Sequence, residues 1–290
     1  MIFVTGASGF IGRELVKRLS EEGMEVVALI RKPDPFLKVK KVIGDLSNKE
    51  LLNKSLKGAD IVVHLAALVN SADKREMHES NVISTRNILE ASKKNKVKRF
   101  VFFSSAVITS KILGIYSDSK LEGERLVRKS GLAYTIVRPS LLYGRADNKN
   151  FGGMINLIRK LPVVPIVGTG CAKTQPVYID NVIDATYKII RSEKAKNKEY
   201  FIAGPDALTL NDMVDMVAEN LGLKRIKLHI PILIMRIIVF FYERIKKNPT
   251  IISEQIKRMD EDKTYDISNA KRDLGYKPIS FEQGLRLFLK

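Results

Sequence analysis

The sequence predicts an α/β fold: a Rossmann-type, doubly wound parallel sheet with a smaller, mostly helical C-terminal lobe. Three observations predict it. Short, continuously apolar runs alternate with segments whose apolar residues recur at helical spacing. A glycine-rich stretch follows directly on the first apolar run. The alternation fades after Gly144.

Ile2–Val4, Glu25–Ile30, Lys41–Ile43, Ile61–Leu65, Phe100–Phe103 and Ala133–Val137 read as strands. Several are apolar at consecutive positions, as expected where both faces of a parallel sheet are covered by helices. Ile11–Glu22, Lys49–Leu56, Met77–Lys94 and Lys120–Ser130 read as the intervening helices. The first 144 residues are therefore expected to form the dinucleotide-binding domain. Residues 145–290 are expected to form a substrate or partner lobe, entered through a polar loop at Asp147–Asn150. In that lobe Pro176–Ile179 and Glu199–Ile202 are strand candidates, and the first of them is the one expected to return to the main sheet. Thr209 is placed to cap a helix running to Gly222.

The chain has 290 residues, enough for a sizeable core, with 45% hydrophobic and 28% charged residues. Cys171 is the single cysteine. It cannot close an internal disulfide, and a reducing, cytoplasmic setting is expected. Three scattered histidines and one cysteine give no metal site. Met1 opens a strand that runs straight into a turn, so no leader is expected. The net charge of +18 raises the expectation of an anionic partner. The lysines are scattered (Lys93, Lys94, Lys96, Lys98; Lys194, Lys196, Lys198) and do not interleave with aromatics, which argues against nucleic acid. Pro231–Tyr242 is too short to cross a bilayer and carries Arg236 in its middle. It reads as a buried or partner-facing helix. Because basic residues follow it, segment 231–247 is also a candidate for peripheral membrane contact.

Three elements carry chemistry. Thr5-Gly6-Ala7-Ser8-Gly9-Phe10-Ile11-Gly12 lies between a strand and a helix. Glycines there permit a tight turn, close approach of a pyrophosphate, and packing of helix on strand, and the helix start offers free N–H groups to the phosphates. At the end of the second strand, where an acidic residue would bond the ribose of NAD, stands Arg31-Lys32. A guanidinium forks onto a 2′-phosphate, so NADP is favoured, with NAD as the alternative. Tyr116 and Lys120 are four residues apart on one predicted helix face, beyond a strand that ends in Ser104-Ser105. An ammonium beside a phenol, together with an oxidised nicotinamide ring, favours the phenolate, so the two are expected to lower the Tyr116 pKa. His64 reads as a buried strand end, and Asp180 and Asp184 as helix-start capping and a solvated face.

Together these residues resemble the short-chain dehydrogenase/reductase superfamily, in its extended or atypical-extended branch, over nearly the whole chain. Thr5–Gly12 is similar to Thr-Gly-x-x-Gly-x-x-Gly. Gly44-Asp45-Leu46 resembles the adenine-contacting segment, and His64-Leu65-Ala66-Ala67 the H-x-A-A of the fourth strand. Asn81 falls in an Asn-Val-x-x-Thr segment. Arg138-Pro139-Ser140-Leu141-Leu142-Tyr143-Gly144 is similar to the stretch flanking the nicotinamide, Gln175–Val182 to Q-P-V-H-V-D-D-V, and Leu274–Pro278 to L-G-Y-x-P. The resemblance implies hydride transfer on a small-molecule hydroxyl or carbonyl. Tyr116 would move the proton, Lys120 would hold the nicotinamide ribose, and Ser105 would bond the substrate oxygen. The branch includes nucleotide-sugar epimerases and dehydratases, dihydroflavonol-type reductases, and the nucleotide-binding accessory subunit of respiratory complex I. Aligned through Tyr178, the slot where epimerases carry a phosphate-gripping arginine holds Thr174, beside Lys173. The Ser105–Tyr116 stretch is also short. An NADP(H)-holding assembly or regulatory subunit is therefore the alternative to an enzyme.

Overall fold

The computed structural model describes residues 1–145, 151–245 and 253–289. Six strands come from the first 139 residues: β1 (Ile2–Thr5), β2 (Val26–Ile30), β3 (Lys40–Ile43), β4 (Ile61–His64), β5 (Arg99–Phe103) and β6 (Tyr134–Pro139). The chain then forms β7 (Leu142–Tyr143), β8 (Val163–Val167), β9 (Lys173–Thr174), β10 (Val177–Tyr178), β11 (Lys198–Ile202), β12 (Leu208–Thr209) and β13 (Ile226–Ile230). The helices of the first half are α1 (Phe10–Glu21), α2 (Lys49–Ser55), α3 (Lys74–His78), α4 (Ser84–Lys94) and α5 (Ile115–Lys129). Those of the second are α6 (Phe151–Lys160), α7 (Ile179–Arg191), α8 (Leu210–Asn220), α9 (Ile232–Ile245), α10 (Ser253–Lys257), α11 (Ser268–Leu274) and α12 (Phe281–Leu289).

The main sheet has seven strands in the order β11-β6-β5-β4-β1-β2-β3, all parallel. Alternate residues of each strand face opposite ways. Val4, Ala28, Val63, Val101 and Val137 pack against Leu15, Val16 and Leu19 of α1 and Val182 and Ile189 of α7. Phe3, Val27, Val62, Phe100 and Ile136 pack on the other face against Leu52, Ile88 and Val127 of α2, α4 and α5. Two covered faces account for the continuous apolar runs.

The seventh strand comes from 198–202, the later of the two candidate strands extended by one residue. Val177–Tyr178 instead pairs with Leu142–Tyr143 in a separate two-stranded ladder. The chain turns helical at Ile179, because Ile179, Val182, Ile183, Ile189 and Ile190 repeat at helical spacing and bury one face of α7. The sheet thus draws its outer strand from beyond residue 144. Helix α5 begins at Ile115, earlier than its apolar pattern indicates. The Ser117 hydroxyl accepts from the Gly114 N–H at 2.7 Å and so closes the first turn. The helical segment expected at Met77–Lys94 is broken by a π turn at Glu79–Ile83. The loop expected at Asp147–Asn150 lies outside the described residues.

Candidate active site

The strand order reverses on the two sides of β1, and in open parallel sheets ligands bind at the carboxyl ends of the strands beside such a point. The loop from Thr5 to Gly12 lies there. Gly6 has φ +69°, and a Cβ on it would come within 2.6 Å of the Ala66 nitrogen. A Cβ on Gly12 would lie 2.2 Å from the Gly6 carbonyl oxygen. A Cβ on Gly9 would meet the Gly6 oxygen at a tight 3.2 Å and no other neighbouring atom. Ser8 and Gly9 are exposed at the start of α1, while Phe10 and Ile11 are half-buried. An open, side-chain-free cradle at a helix N-terminus fits a pyrophosphate.

Beneath this loop runs a buried chain of hydrogen bonds. Thr85 Oγ1 donates to the Asn81 carbonyl at 2.6 Å. It therefore accepts from His64 Nε2, 3.1 Å away, which leaves Nδ1 to accept from Thr5 Oγ1 at 2.7 Å. The Ala66 N–H in turn donates to Thr5 Oγ1 at 3.4 Å. Burial, and then the Lys120 ammonium, push the His64 pKa down to about 3, so the ring is neutral. His64 thus joins β1, β4 and α4 beneath Leu65, Ala66 and Ala67, which form the half-buried rim of the cleft.

Arg31 and Lys32 are exposed just past β2. The nearby carboxylate is Asp34, which is buried and bonded to Arg13 at 3.0 Å and to the Phe36 N–H at 3.0 Å. Asp45 is exposed and accepts from the Ser47 N–H at 2.9 Å. Leu46 is buried, and its carbonyl accepts from Asn87 at 3.0 Å.

Ser105, at the end of β5, faces a cavity of about 650 Å³ and hydrogen-bonds Tyr116. Its Oγ also accepts from the Val107 N–H at 3.3 Å. Desolvation pushes the Tyr116 phenol up to about 12, and the Ser105 hydrogen bond opposes this. In the protein alone burial prevails; the lowering expected from Lys120 belongs to the site with an oxidised nicotinamide beside it. Lys120, one turn on, is itself buried. Desolvation lowers its pKa to about 8, and the Glu124 carboxylate opposes that. Its Nζ stands 4.6 Å from the Phe102 ring centroid and makes no hydrogen bond among the described residues. Ser104 Oγ is likewise buried without a partner. Orphaned polar atoms beside an open glycine cradle fit a bound dinucleotide that would satisfy them.

Asn81 lies in the π turn, with its amide already committed. It bonds Leu68 through both donor and acceptor, at 2.8 and 2.7 Å, and Ser119 Oγ at 2.9 Å. Ser119 Oγ donates to the Tyr116 carbonyl at 2.7 Å, so Asn81 joins the cleft rim to α5. Pro139 is buried, and Ser140, Leu141 and Leu142 continue into the cavity wall. Ser140 donates to the Gln175 carbonyl at 2.5 Å. Asp180 does not cap α7. It pairs with Arg145 at 2.7 Å, and Asp184 pairs with Lys188 at 2.8 Å.

Sequence reasoning missed two groups. Glu124, fully buried, takes Arg138 at 2.7 and 2.9 Å and Arg128 at 2.6 Å, and Arg138 also reaches Glu199 on β11. The spacing of Lys120, Glu124 and Arg128 by four along one helix was the available signal. The second group is the far wall of the cavity, Arg258–Tyr265. Arg258 is buried and its Nη1 has no partner among the described residues. The cavity therefore contains a guanidinium although Thr174 occupies the slot expected to hold one. No local pattern marks it. The remaining lining includes Ala106, Val107, Leu141, Leu210 and Met213.

Residues 2–204 match the model of the NAD dependent epimerase/dehydratase family. The chain is similar to the 3beta-hydroxysteroid-dehydrogenase/decarboxylase isoform 1 of Arabidopsis thaliana, 27% identical over 98% of this chain and 77% of that protein. It is similar to the ceramide reductase of Caulobacter vibrioides, 32% identical over 66% of this chain and 60% of that protein. Among solved structures it resembles MoeE5 in complex with UDP-glucuronic acid and NAD. The TM-score is 0.79 at 25% identity, over 99% of this chain and 97% of that one.

Proposed function

Because the chain belongs to the NAD-dependent epimerase/dehydratase family, of extended short-chain dehydrogenase/reductase type, we propose that it is an NADP(H)-dependent oxidoreductase interconverting an alcohol and a ketone on a largely apolar small molecule. The observation that carries this reading is the hydrogen-bonded pair Ser105 and Tyr116 beside one cavity, with the Lys120 ammonium one turn away. A nicotinamide cofactor held by the Gly6–Gly12 loop and Lys120 would supply the two-electron chemistry at the substrate carbon. Ser105 donates a hydrogen bond to the substrate oxygen and fixes it. Tyr116 holds the proton which that oxygen takes up on reduction. Raised to about 12, the phenol is protonated at neutral pH, the form that donates. Lys120 offers its unpaired N–H groups to the nicotinamide ribose, and its charge favours the phenolate in the oxidising direction.

Preference for the 2′-phosphorylated cofactor rests on Arg31 and Lys32, and on Asp34 being tied to Arg13 away from a ribose. An apolar substrate is supported by one side of the cavity, where Ala106, Val107, Leu141, Leu142, Leu210 and Met213 gather, and by the relatives named for a hydroxysteroid and a ceramide. The single exposed thiol, Cys171, is in keeping with a reducing, cytoplasmic setting. The test is Tyr116→Phe, assayed with NADPH on long-chain and steroid ketones. The expected result is a loss of at least about 100-fold in kcat with cofactor affinity kept. Unchanged turnover would overturn the assignment, and turnover of UDP-sugars in place of apolar ketones would overturn the substrate class.

A further inference from the structure

Helix α9 is built the wrong way out for a domain helix. Of its residues Val239 alone is buried, while Leu233, Ile234, Ile237, Ile238, Phe240, Phe241 and Ile245 are exposed. At 3.6 residues per turn these seven fill an outward arc of about 160°, with only Arg244 inside it. The opposite side, Ile232, Met235, Val239 and Tyr242, faces the protein. A contiguous apolar face of this size marks an interaction site.

The surroundings say what covers it. From Lys224 to Ile245 the chain carries five Lys and Arg residues against one acid, Glu243, and of these Lys227 is paired with Asp215. Glu243 is bonded to Ser253 at the start of α10. Arg236 and Arg244 are exposed on the helix, and Lys224 is exposed before β13. Lys246 and Lys247 lie outside the described residues and add their charge by sequence alone. An apolar arc with a cationic rim matches the interface of an anionic bilayer, which accepts apolar side chains at acyl depth and cations at headgroup level. A second copy of the chain matches poorly, since a two-fold contact would set this basic rim against itself. No helix among the described residues is long and apolar enough to cross a membrane, so contact through α9 is with the surface. The placement has a chemical use. Helix α10 packs on α9 and leads directly into Arg258–Tyr265, the far wall of the cavity that Ser105 faces. Gly168, between them, lies against both Ile232 and Asp260.

We propose that α9 docks the protein on an anionic lipid surface through its apolar arc and basic rim, and that this sets the cavity wall beside the bilayer. The test is flotation of the purified full-length protein with vesicles of phosphatidylcholine alone or with phosphatidylglycerol added. The double variant Ile237→Glu/Phe241→Glu is run alongside. Neither cofactor nor substrate is present, so the result is separate from the oxidoreductase reading. The expected result is binding to phosphatidylglycerol vesicles, weakened by salt, and at least tenfold weaker for the variant at an unchanged melting temperature. Three results would overturn the proposal: no binding to the anionic vesicles, equal binding by the variant, or a dimer by light scattering that the variant dissociates while vesicles bind neither protein.

Discussion

Acid should loosen the cofactor platform through a single residue, His64. The ring is buried and neutral, donating from Nε2 to Thr85 and accepting at Nδ1 from Thr5. Its pKa lies at about 3 in the fold against 6.5 in the unfolded chain. Between those values the unfolded chain binds a proton that the native state refuses. Stability from this group is therefore complete above about pH 6.5 and is lost as pH falls towards 3. One proton corresponds to about 1.4 kcal/mol per pH unit, on the order of 5 kcal/mol over the whole window. The assay is urea unfolding followed by circular dichroism at half-unit steps from pH 7.5 to 4, on wild type and on His64→Gln. The glutamine amide offers one acceptor and one donor and does not titrate. Carboxylates contribute equally to both proteins, so the difference between the two curves isolates His64. It should shrink by about 1 kcal/mol per unit below pH 6. Parallel curves would refute the reasoning.

Two further outcomes follow from the site. Glu124→Gln leaves Arg138 with Glu199 alone and should cost about 2 kcal/mol in urea unfolding, below the usual loss for a broken buried pair because one amide oxygen still accepts. It also removes the carboxylate that holds up the Lys120 pKa near 8, so the alkaline limb of cofactor binding should move to lower pH; a limb that stays in place would separate Lys120 from Glu124. Arg31→Asp should raise the Kd for NADPH at least tenfold while changing that for NADH little, by fluorescence titration, because it replaces attraction for a 2′-phosphate with repulsion. Equal effects on the two cofactors would remove Arg31 from the 2′-phosphate site.

What was legible in the sequence, and what was not, follows the range of the interactions. Strands β1, β2, β4, β5 and β6 could be read because burial on both faces writes apolar runs such as Phe100–Phe103, whereas the edge strand β3 is largely exposed. The glycine loop could be read because its constraint is local: the Gly12 Cα approaches the Gly6 carbonyl a few residues away. The start of α5 was hidden because Gly114 and Ser117 cap it through polar contacts that carry no periodicity. The role of His64 needed Thr5 and Thr85 to be brought together from opposite sides in sequence. Arg258 is about 150 residues from Ser105 and reaches the same cavity only through the folding of the second half.

The late return of β11 has a consequence for synthesis. Strand β6 ends at Pro139, and its outer neighbour is supplied by residues 198–202. While the intervening segment is being made, the emerging nucleotide-binding half presents the apolar β6, with Ile136 and Val137, as a bare sheet edge. That is the kind of surface on which two nascent chains can pair. Growth of the chain past residue 202 closes the edge, and Glu199 then fastens it to Arg138 and Arg128. The edge thus stays open until residues 198–202 have been made, and the Glu199 contacts are the latch that closes it.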